Sequence, residues 1–433
     1  MKQREYIRLL KEQVRLALGC TEPVAVALAV ASAAQFLSGP VYEIVAQISP
    51  NIYKNGLRVG IPGTDQHGLE MAAALGAVCG GADAGLEILR HVNEGHTTSA
   101  KELRDTGHVQ VLVEDGKGDF YIEAEVTDRF GHKAGCIIEG CHTNIISLFL
   151  DGQAMTPRQK IQGDALNGED LLGRLKQSHI SDICRFAEQV DFPEISFMLD
   201  GVRVNMEMAE YGLNHKIGMS VGQGIRNMVR QGVLQDDVVN RVKMVTAAAC
   251  DARMAGVSLP VMSSAGSGNH GLTAILPVAV VCDQLHKSDE DLARALAISH
   301  LVTSYIKEYT GKLSPICGCA VAAGIGASAA ITWLYGGSDQ QIVGAIQNMV
   351  GTVAGMLCDG AKGGCALKLA AAASEAVMQA NFAANDIIIG DTDGIVGSCA
   401  ERTIQNLGKI CTNGMRDMDR EIIGIMCKAT RGR

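Results

Sequence analysis

Four of the 14 cysteines lie in two glycine-rich segments of the C-terminal half, where thiols could bind a metal. The first segment is Cys317-Gly318-Cys319, and the second runs from Cys358 to Cys365 as Cys-Asp-Gly-Ala-Lys-Gly-Gly-Cys. Thiolate sulfur is a soft ligand that suits iron–sulfur clusters, and nearby glycines leave backbone amides free to hydrogen-bond cluster sulfur. The spacing matches neither a zinc ribbon nor a standard ferredoxin. Cysteines that only fill the core therefore remain an alternative explanation.

The segment Gly266–Gly271 formally fits the dinucleotide fingerprint G-x-G-x-x-G. No clear strand is predicted before it, Pro260 lies just upstream, and no βαβ unit with a later acidic residue can be drawn. A nucleotide site is therefore not expected. Backbone amides of such a turn, with Ser264, Ser267 and Asn269 as donors, could hold an amino-acid carboxylate. A tight connection between helices that needs glycine is the other interpretation, and the sequence leaves both open.

Several short motifs in a fixed order run through nearly the whole chain. They are Gly19-Cys20-Thr21-Glu22-Pro23, Ser49-Pro50-Asn51, Lys54-Asn55-Gly56, Pro62-Gly63-Thr64, His142-Thr143-Asn144, Asp251-Ala252-Arg253-Met254, Ser264–Gly271 and Cys358-Asp359-Gly360-Ala361. In this combination the chain resembles the L-cysteine desulfidase family, long catalogued as an uncharacterised protein family. The C-terminal half of that family is similar to the alpha chain of the bacterial iron–sulfur L-serine dehydratases.

The resemblance implies an oxygen-sensitive enzyme that converts L-cysteine to pyruvate, ammonia and sulfide at a [4Fe–4S] cluster, without pyridoxal phosphate. It implies that Cys317, Cys358 and Cys365 ligate the cluster and leave one iron open. Cys319 is expected to be a close neighbour of the cluster. Cys20 is expected to be either a ligand or an active-site thiol. The remaining cysteines have no such context and are expected to be ordinary thiols.

Elimination from cysteine requires a base near the C2 hydrogen and groups that grip the amino acid. The loops His142-Thr143-Asn144 and Asn269-His270 both offer a base, and the family motif favours His142. His142 and the thiol of Cys20 are therefore the predicted catalytic residues. The predicted substrate-binding residues are Thr21, Glu22, Lys54, Asn55, Thr143, Asn144, Ser267 and Asn269.

Three alternatives compete with cleavage of L-cysteine at an iron–sulfur cluster. L-serine dehydration at the same cluster differs only in its leaving group. Pyridoxal phosphate on Lys362 or Lys368 could support the same reaction, although neither lysine lies in a recognisable cofactor-binding pattern. A non-catalytic cysteine-binding protein would keep the loops and lack an active cluster.

Composition limits the class of partner. The 433 residues are 47% hydrophobic and carry a net charge of −9, without a basic run interleaved with aromatics, so nucleic acid is not an expected partner and a small molecule is. No signal peptide precedes the first helix, so a cytoplasmic location is expected. The uncharged run Cys317–Leu334 is mostly alanine and glycine and predicts a buried helix instead of a membrane span. A homo-oligomer is left open.

Hydrophobic periodicity predicts the α+β class. Helices are expected over residues 1–40, the first from Glu5 to about Leu18, and they should dock on a helical domain. An α+β domain is predicted over residues 41–152, with strands near 41–48, 57–61, 109–114, 120–127, 136–138 and 145–150 and helices near 69–78 and 86–92. A polar segment, 151–169, is the predicted linker, and residues 163–433 are expected to form a larger, mostly helical domain that binds the cluster. The active site is expected between the two domains.

Overall fold

The computed structural model describes residues 1–118, 120–156, 170–311 and 313–431, with side chains as far as Met426. Most of the predicted linker, including the boundary at residue 163, lies outside the described residues, as does the side chain of Cys427. The α+β class is confirmed, with a sheet in the N-terminal part and a mostly helical C-terminal part.

The described strands fall into two sheets. They are β1 (Leu16–Leu18), β2 (Val41–Ile48), β3 (Val109–Val113), β4 (Tyr121–Asp128), β5 (Lys133–Glu139), β6 (Ile145–Leu150), β7 (Gln153–Ala154) and β8 (Pro260–Met262). The larger sheet has the order β3-β2-β4-β5-β6-β7, parallel only between β2 and β3. Alternate residues of its central strands, such as Ile44, Ala46 and Ala124, are fully buried on one face. The predicted strands near 41–48, 109–114, 120–127, 136–138 and 145–150 correspond to β2 to β6.

Five α-helices belong to the N-terminal part. They are α1 (Gln3–Gln13), α2 (Thr21–Ala34), α3 (Pro50–Gly56), α4 (Leu69–Cys79) and α5 (Glu94–Leu103), with a 3₁₀ helix at Ala82–Glu87 and a π-helical turn at Arg104–His108. Both N-terminal helices were expected on the helical domain, but only α1 packs there. Helix α2 lies in the core formed by the larger sheet and α4. It has almost no polar face, so it is stable only where neighbours cover it on every side.

The C-terminal part contains the remaining helices. They are α6 (Leu171–Lys176), α7 (Ile180–Gln189), α8 (Phe192–Ile195), α9 (Met198–Asn214), α10 (Val221–Arg230), α11 (Val238–Met254), α12 (Gly268–Gln284), α13 (Asp289–Thr310), α14 (Ala322–Leu334), α15 (Asp339–Val353), α16 (Cys365–Ala384), α17 (Ala400–Lys409) and α18 (Met418–Arg431), with a π-helical turn at Ile410–Gly414. Their main core includes Tyr6 and Leu9 of α1 together with α7, α13 and α14.

The first helix is shorter than predicted. It was expected to continue to about Leu18, but α1 ends at Gln13 and the chain becomes extended at Val14. Residues Leu16–Leu18 then pair antiparallel with β8, a strand that the sequence did not predict in the helical half. The backbone carbonyl of Arg15 also accepts a hydrogen bond from the Ser263 amide, 2.8 Å away. These long-range bonds outweigh the local preference for helix.

Two shorter segments also differ from the prediction. Residues Leu57–Ile61 were expected to form a strand, but only an isolated bridge from Gly60 to His67 is present, and the Gly60 amide donates to the carbonyl of Met254. Residues Leu86–Val92 were expected to be helical, but Leu86 and Glu87 end the 3₁₀ helix and the chain continues as turns from Ile88 to His91.

The uncharged run is buried as expected. Within Cys317–Leu334 the helical portion is α14, whose residues from Ala322 to Thr332 are all buried. None of the helices in the described ranges combines the length and hydropathy of a membrane span.

Glycine at the contact between α2 and α4 gives a test of this packing. A Cβ atom on Gly76 would lie 2.3 Å from the carbonyl oxygen of Ala27, so Gly76→Ala should lower the free energy of unfolding by about 1–3 kcal/mol. Gly224 lies in α10 with no atom near its Cβ position, so Gly224→Ala should raise stability by about 0.5–1 kcal/mol. Chemical denaturation measures the free energy of unfolding of both variants. Equal changes in the two variants would contradict the close approach of α2 and α4.

Candidate active site

A short antiparallel bridge joins the two cysteine-bearing loops. Ile316 pairs with Leu357. The Cys317 amide donates to the carbonyl of Met356 and the Cys358 amide donates to the carbonyl of Pro315, each at 2.7 Å. Cys317 and Cys358 therefore lie diagonally across one bridge, although they are far apart in sequence.

The third predicted ligand, Cys365, begins helix α16. Its thiol lies 3.7 Å from the carbonyl oxygen of Gly360, in the loop that starts at Cys358. Gly360 has a φ of +89°, and a Cβ atom there would lie 2.1 Å from the backbone oxygen of Lys54. The loop can therefore press against α3 only because residue 360 is glycine.

Hydrogen bonding makes the Cys317 thiol unusually acidic. A hydrogen bond from the Cys319 thiol, opposed by burial and aided by backbone amides of Ala320 and Cys319, lowers the pKa of Cys317 to about 6. The same contact raises the pKa of Cys319. Burial raises the pKa of Cys365 to about 11, and it also raises the pKa of Cys358. Since the thiolate is the metal-binding form, the hydrogen bond between these two thiols favours ligation by this loop.

Cys20 joins this group from the N-terminal part of the chain. It lies at the N-terminus of α2, and its thiol donates to Glu22 Oε2 at 3.1 Å. Burial, with the carboxylate of Glu22 second, raises the pKa of Cys20. Cys20 shares a buried cluster with Cys365 and also with Cys250, which the sequence analysis had treated as an ordinary thiol. The sequence feature that could have identified Cys250 is its position directly before the Asp251–Met254 motif.

A buried arginine holds Cys20 in place. Arg253 Nη2 donates to the carbonyl oxygen of Gly19 at 2.6 Å, and Nη1 donates to Asn269 Oδ1 at 2.9 Å. The side-chain oxygen of Asn269, a predicted substrate ligand, is thus already bonded to the protein. Arg253 is 4% exposed and forms no ion pair with a carboxylate within the described part of the chain.

The glycine-rich segment forms a tight turn that leads into a helix. Ser264 and Ser267 exchange backbone hydrogen bonds of 3.1 and 3.0 Å, and the two residues between them have φ values of +45° and +78°. Positive φ at both central positions is typical of a type I′ hairpin turn. Ser267 is the N-cap of α12. The short strand β8 precedes the turn, contrary to the prediction, but its antiparallel pairing with β1 forms no βαβ unit.

Two buried basic side chains meet at Gly318, between Cys317 and Cys319. A Cβ atom on Gly318 would lie 2.5 Å from His270 Nε2 and 3.2 Å from Lys307 Nζ. Burial, reinforced by the charge of Lys307, lowers the pKa of His270 to about 3. Burial also lowers the pKa of Lys307, against the opposing effect of nearby cysteines, the first being Cys358. The sequence analysis did not single out Lys307.

The lysines beside the second loop are paired with carboxylates. Lys54 Nζ, on α3, lies 2.5 Å from Asp419 Oδ1. Lys362 and Lys368 both form ion pairs with Asp359. Burial alone would raise the pKa of Asp359, but the hydrogen bonds from the two lysines outweigh burial and lower this pKa to about 2. The contact with Asp359, opposed by burial, raises the pKa of Lys368. Both amines are thus engaged in ion pairs, which disfavours a Schiff base at either lysine.

The other predicted residues lie in the N-terminal part, on α2, on α3 and on the loop between β5 and β6. Thr21 Oγ1 is 3.4 Å from Glu22 Oε2, and Asn55 is half-buried on α3. The loop that contains His142 and Thr143 connects β5 and β6, and the His142 ring packs edge-on against Phe120 with centroids 4.5 Å apart. The Asn144 side chain donates to the carbonyl oxygen of Glu139. This loop is at the end of the sheet where β2 leads into α3.

In the described residues no group of three or more His, Cys, Asp or Glu side chains is arranged to hold one metal ion. A [4Fe–4S] cluster binds its thiolates through different iron atoms, so its ligands do not have to meet at one point. Buried cations such as Lys307 also favour an anionic group beside these cysteines.

Comparison with known proteins shows the family. The serine dehydratase alpha chain family matches residues 83–424, a range that includes Cys317, Cys358 and Cys365. The chain belongs to the serine dehydratase alpha chain family. It is 46% identical to a UPF0597 protein of Clostridioides difficile (strain 630) over 423 residues, which cover 97% of this chain and 98% of that protein.

Two further relatives cover the chain equally well. A UPF0597 protein of Desulfotalea psychrophila is 43% identical over 424 residues, covering 96% of this chain and 97% of the relative. One from Alkaliphilus metalliredigens is 43% identical over 434 residues, covering 100% of this chain and 96% of the relative. Similarity to the UPF0597 relatives thus includes the segment with Cys20, which precedes the serine dehydratase match.

The Arg253 contacts can be tested by substitution. Arg253→Met should lower the free energy of unfolding by about 2–4 kcal/mol, because it leaves buried acceptors at Gly19 and Asn269 without their donor. Arg241→Met, on the same helix, removes an exposed pair with Asp236 and should cost less than about 1 kcal/mol. Chemical denaturation measures both. Equal losses would mean that Arg253 does not hold the Cys20 segment.

Proposed function

We propose that the protein is a lyase that cleaves L-cysteine to pyruvate, ammonia and hydrogen sulfide. The proposal assigns a [4Fe–4S] cluster to Cys317, Cys358 and Cys365. The observation that supports it most directly is the bridge between Ile316 and Leu357, which holds two of these cysteines side by side. Membership of the serine dehydratase alpha chain family supports a lyase in general terms.

The neighbourhood of the three cysteines suits this cofactor. Cys317 has a lowered pKa, Lys307 and Lys368 lie close enough to affect the thiols, and Cys365 begins a helix whose N-terminus favours anions. When bound, the cluster supplies an iron without a cysteine ligand, a Lewis acid for the substrate sulfur. Three ligands from the chain leave such a position open.

The chain's own groups would hold the amino acid beside that position. We assign this role to six of the predicted residues, Thr21, Glu22, Asn55, Thr143, Asn144 and Ser267. Lys54 and Asn269 already bond to other groups of the protein, so we assign them the role of shaping the site. The thiol of Cys20 bonds to Glu22 and belongs to the same group of buried side chains as Cys365. Cys20 can therefore serve as an additional ligand or as a thiol near the substrate.

L-serine is the second candidate substrate, because the family description names serine dehydratase. The two substrates differ only at the leaving group, since L-serine carries a hydroxyl, which is harder and less acidic than the thiol of L-cysteine. Parallel turnover measurements decide between them: we expect kcat/KM for L-cysteine to exceed that for L-serine about tenfold or more. The reverse order would make the protein a serine dehydratase.

Replacement of a ligand gives the central test. Protein purified without oxygen should contain about four iron and four acid-labile sulfide per chain. Cys358→Ser should lose both labile sulfide and turnover of L-cysteine. Cys399→Ser is the matched control, because this half-buried thiol caps α17 by accepting from the Arg402 amide, and serine caps equally well.

Two results would contradict the proposal. Full activity of Cys358→Ser would exclude the assigned ligand. Protein that binds L-cysteine without turnover and holds neither iron nor sulfide after reconstitution would be a cysteine-binding protein, the non-catalytic alternative.

A further inference from the structure

His270 is held in one orientation by the turn before α12. Its Nδ1 lies 3.1 Å from the backbone oxygen of Ser264. A carbonyl oxygen can only accept, so Nδ1 carries the hydrogen and Nε2 of the neutral ring keeps its lone pair. His300 Nδ1 is 2.8 Å from Ser264 Oγ and helps to fix the same residue. The ring of His270 therefore presents an acceptor nitrogen in a defined direction.

That nitrogen is directed at the cysteine loop. Nε2 is 2.5 Å from the position of a Cβ atom on Gly318, and Lys307 Nζ is 3.2 Å from the same point. Gly318 separates Cys317 from Cys319, and the absence of a side chain there leaves His270 and Lys307 facing a common space. A base and a cation are thus next to the residue that separates Cys317 from Cys319.

Lys307 has little else to bind. It is 6% exposed, its nearest described polar contact is Ser314 Oγ at 3.5 Å, and it forms no ion pair with a carboxylate in the described ranges. A buried amine without a counter-ion is costly, so an anion that reaches it is bound favourably. The carboxylate of an amino acid is such an anion.

His142 lies in a different setting. Its ring packs against Phe120 on the loop between β5 and β6. It is half-buried and belongs to the sheet domain, whereas His270 and Lys307 are carried by α12 and α13 of the domain that also carries the three cysteines.

We propose that His270, rather than His142, is the base that removes the C2 proton, and that Lys307 binds the substrate carboxylate beside it. This assignment rests on the proposed elimination from L-cysteine. The C2–H bond breaks, its proton moves to His270 Nε2, and its electron pair forms the C2–C3 double bond. The C3–S bond breaks and sulfur leaves with its electron pair as hydrosulfide. The 2-aminoacrylate product takes up one water to give pyruvate and ammonia.

The test compares variants of the cluster-loaded enzyme. His270→Gln should lower kcat by about 10²–10⁴-fold, with iron and sulfide per chain unchanged. Proton removal then becomes slower than every other step, so the kinetic isotope effect with [2-²H]L-cysteine should increase. Lys307→Gln should raise KM about tenfold or more, because the carboxylate loses its donor. His215→Gln, an exposed histidine at the end of α9, is the control and should behave as the wild type.

Several outcomes would overturn the assignment. They are an unchanged kcat in His270→Gln, a lower kcat without a larger isotope effect, or a loss that occurs in His142→Gln instead. If His270→Gln does not fold, Gly318→Ala tests the same space, since its Cβ would crowd Nε2 and Nζ; an unchanged kcat there also overturns it. Failure of wild-type enzyme to consume L-cysteine would instead refute the proposed function, so the two failures are distinct.

Discussion

Pairing between the two cysteine-bearing loops is the constraint on which the site depends. The bonds from Cys317 and Cys358 to the opposite loop fix their thiols relative to each other. Helix α14 follows the first loop and α16 starts at the end of the second, so the loops can meet only if these helices lie close together. Gly324 and Ala372 face each other at this contact, where a Cβ atom on Gly324 would lie 3.5 Å from the Cβ of Ala372, an ordinary van der Waals distance. Small side chains on both helices therefore accompany their close approach.

Charge imposes a second condition on the same space. Burying Arg253 and Lys307 costs several kcal/mol for each cation unless polar partners compensate. Arg253 has two such partners, the oxygens of Gly19 and Asn269, whereas the hydrogen-bond partner of Lys307 among the described residues is the hydroxyl of Ser314, 3.5 Å away. The compensation for Lys307 must come from anions, and the nearest sources are thiolates and a bound ligand. Ligand or cluster binding should therefore also stabilise the fold, since it supplies the missing charge.

The sequence predicted the parts whose signals are local. Alternation along residues 41–48 and 120–127 revealed two central strands, because one face of each is buried and the other is not. The position of α2 could not be predicted, since a helix without a polar face does not indicate which neighbours cover it. The predicted site residues remain predictions. Lys307 escaped notice because a lysine in the last turn of a helix is ordinary in sequence, and only tertiary packing buries it.

The chain passes between its two halves beside the cysteines, so both halves contribute to the surroundings of these thiols. Strand β1 pairs with β8 of the helical part, Cys20 follows two residues later, and α2 then enters the core of the sheet domain. A second contact occurs where α3 meets the Gly360 turn. The helical part alone would keep Cys317, Cys358 and Cys365 but would lose Cys20 and the surface of α3. Movement between the halves would therefore change the surroundings of the thiols before it changed their mutual arrangement.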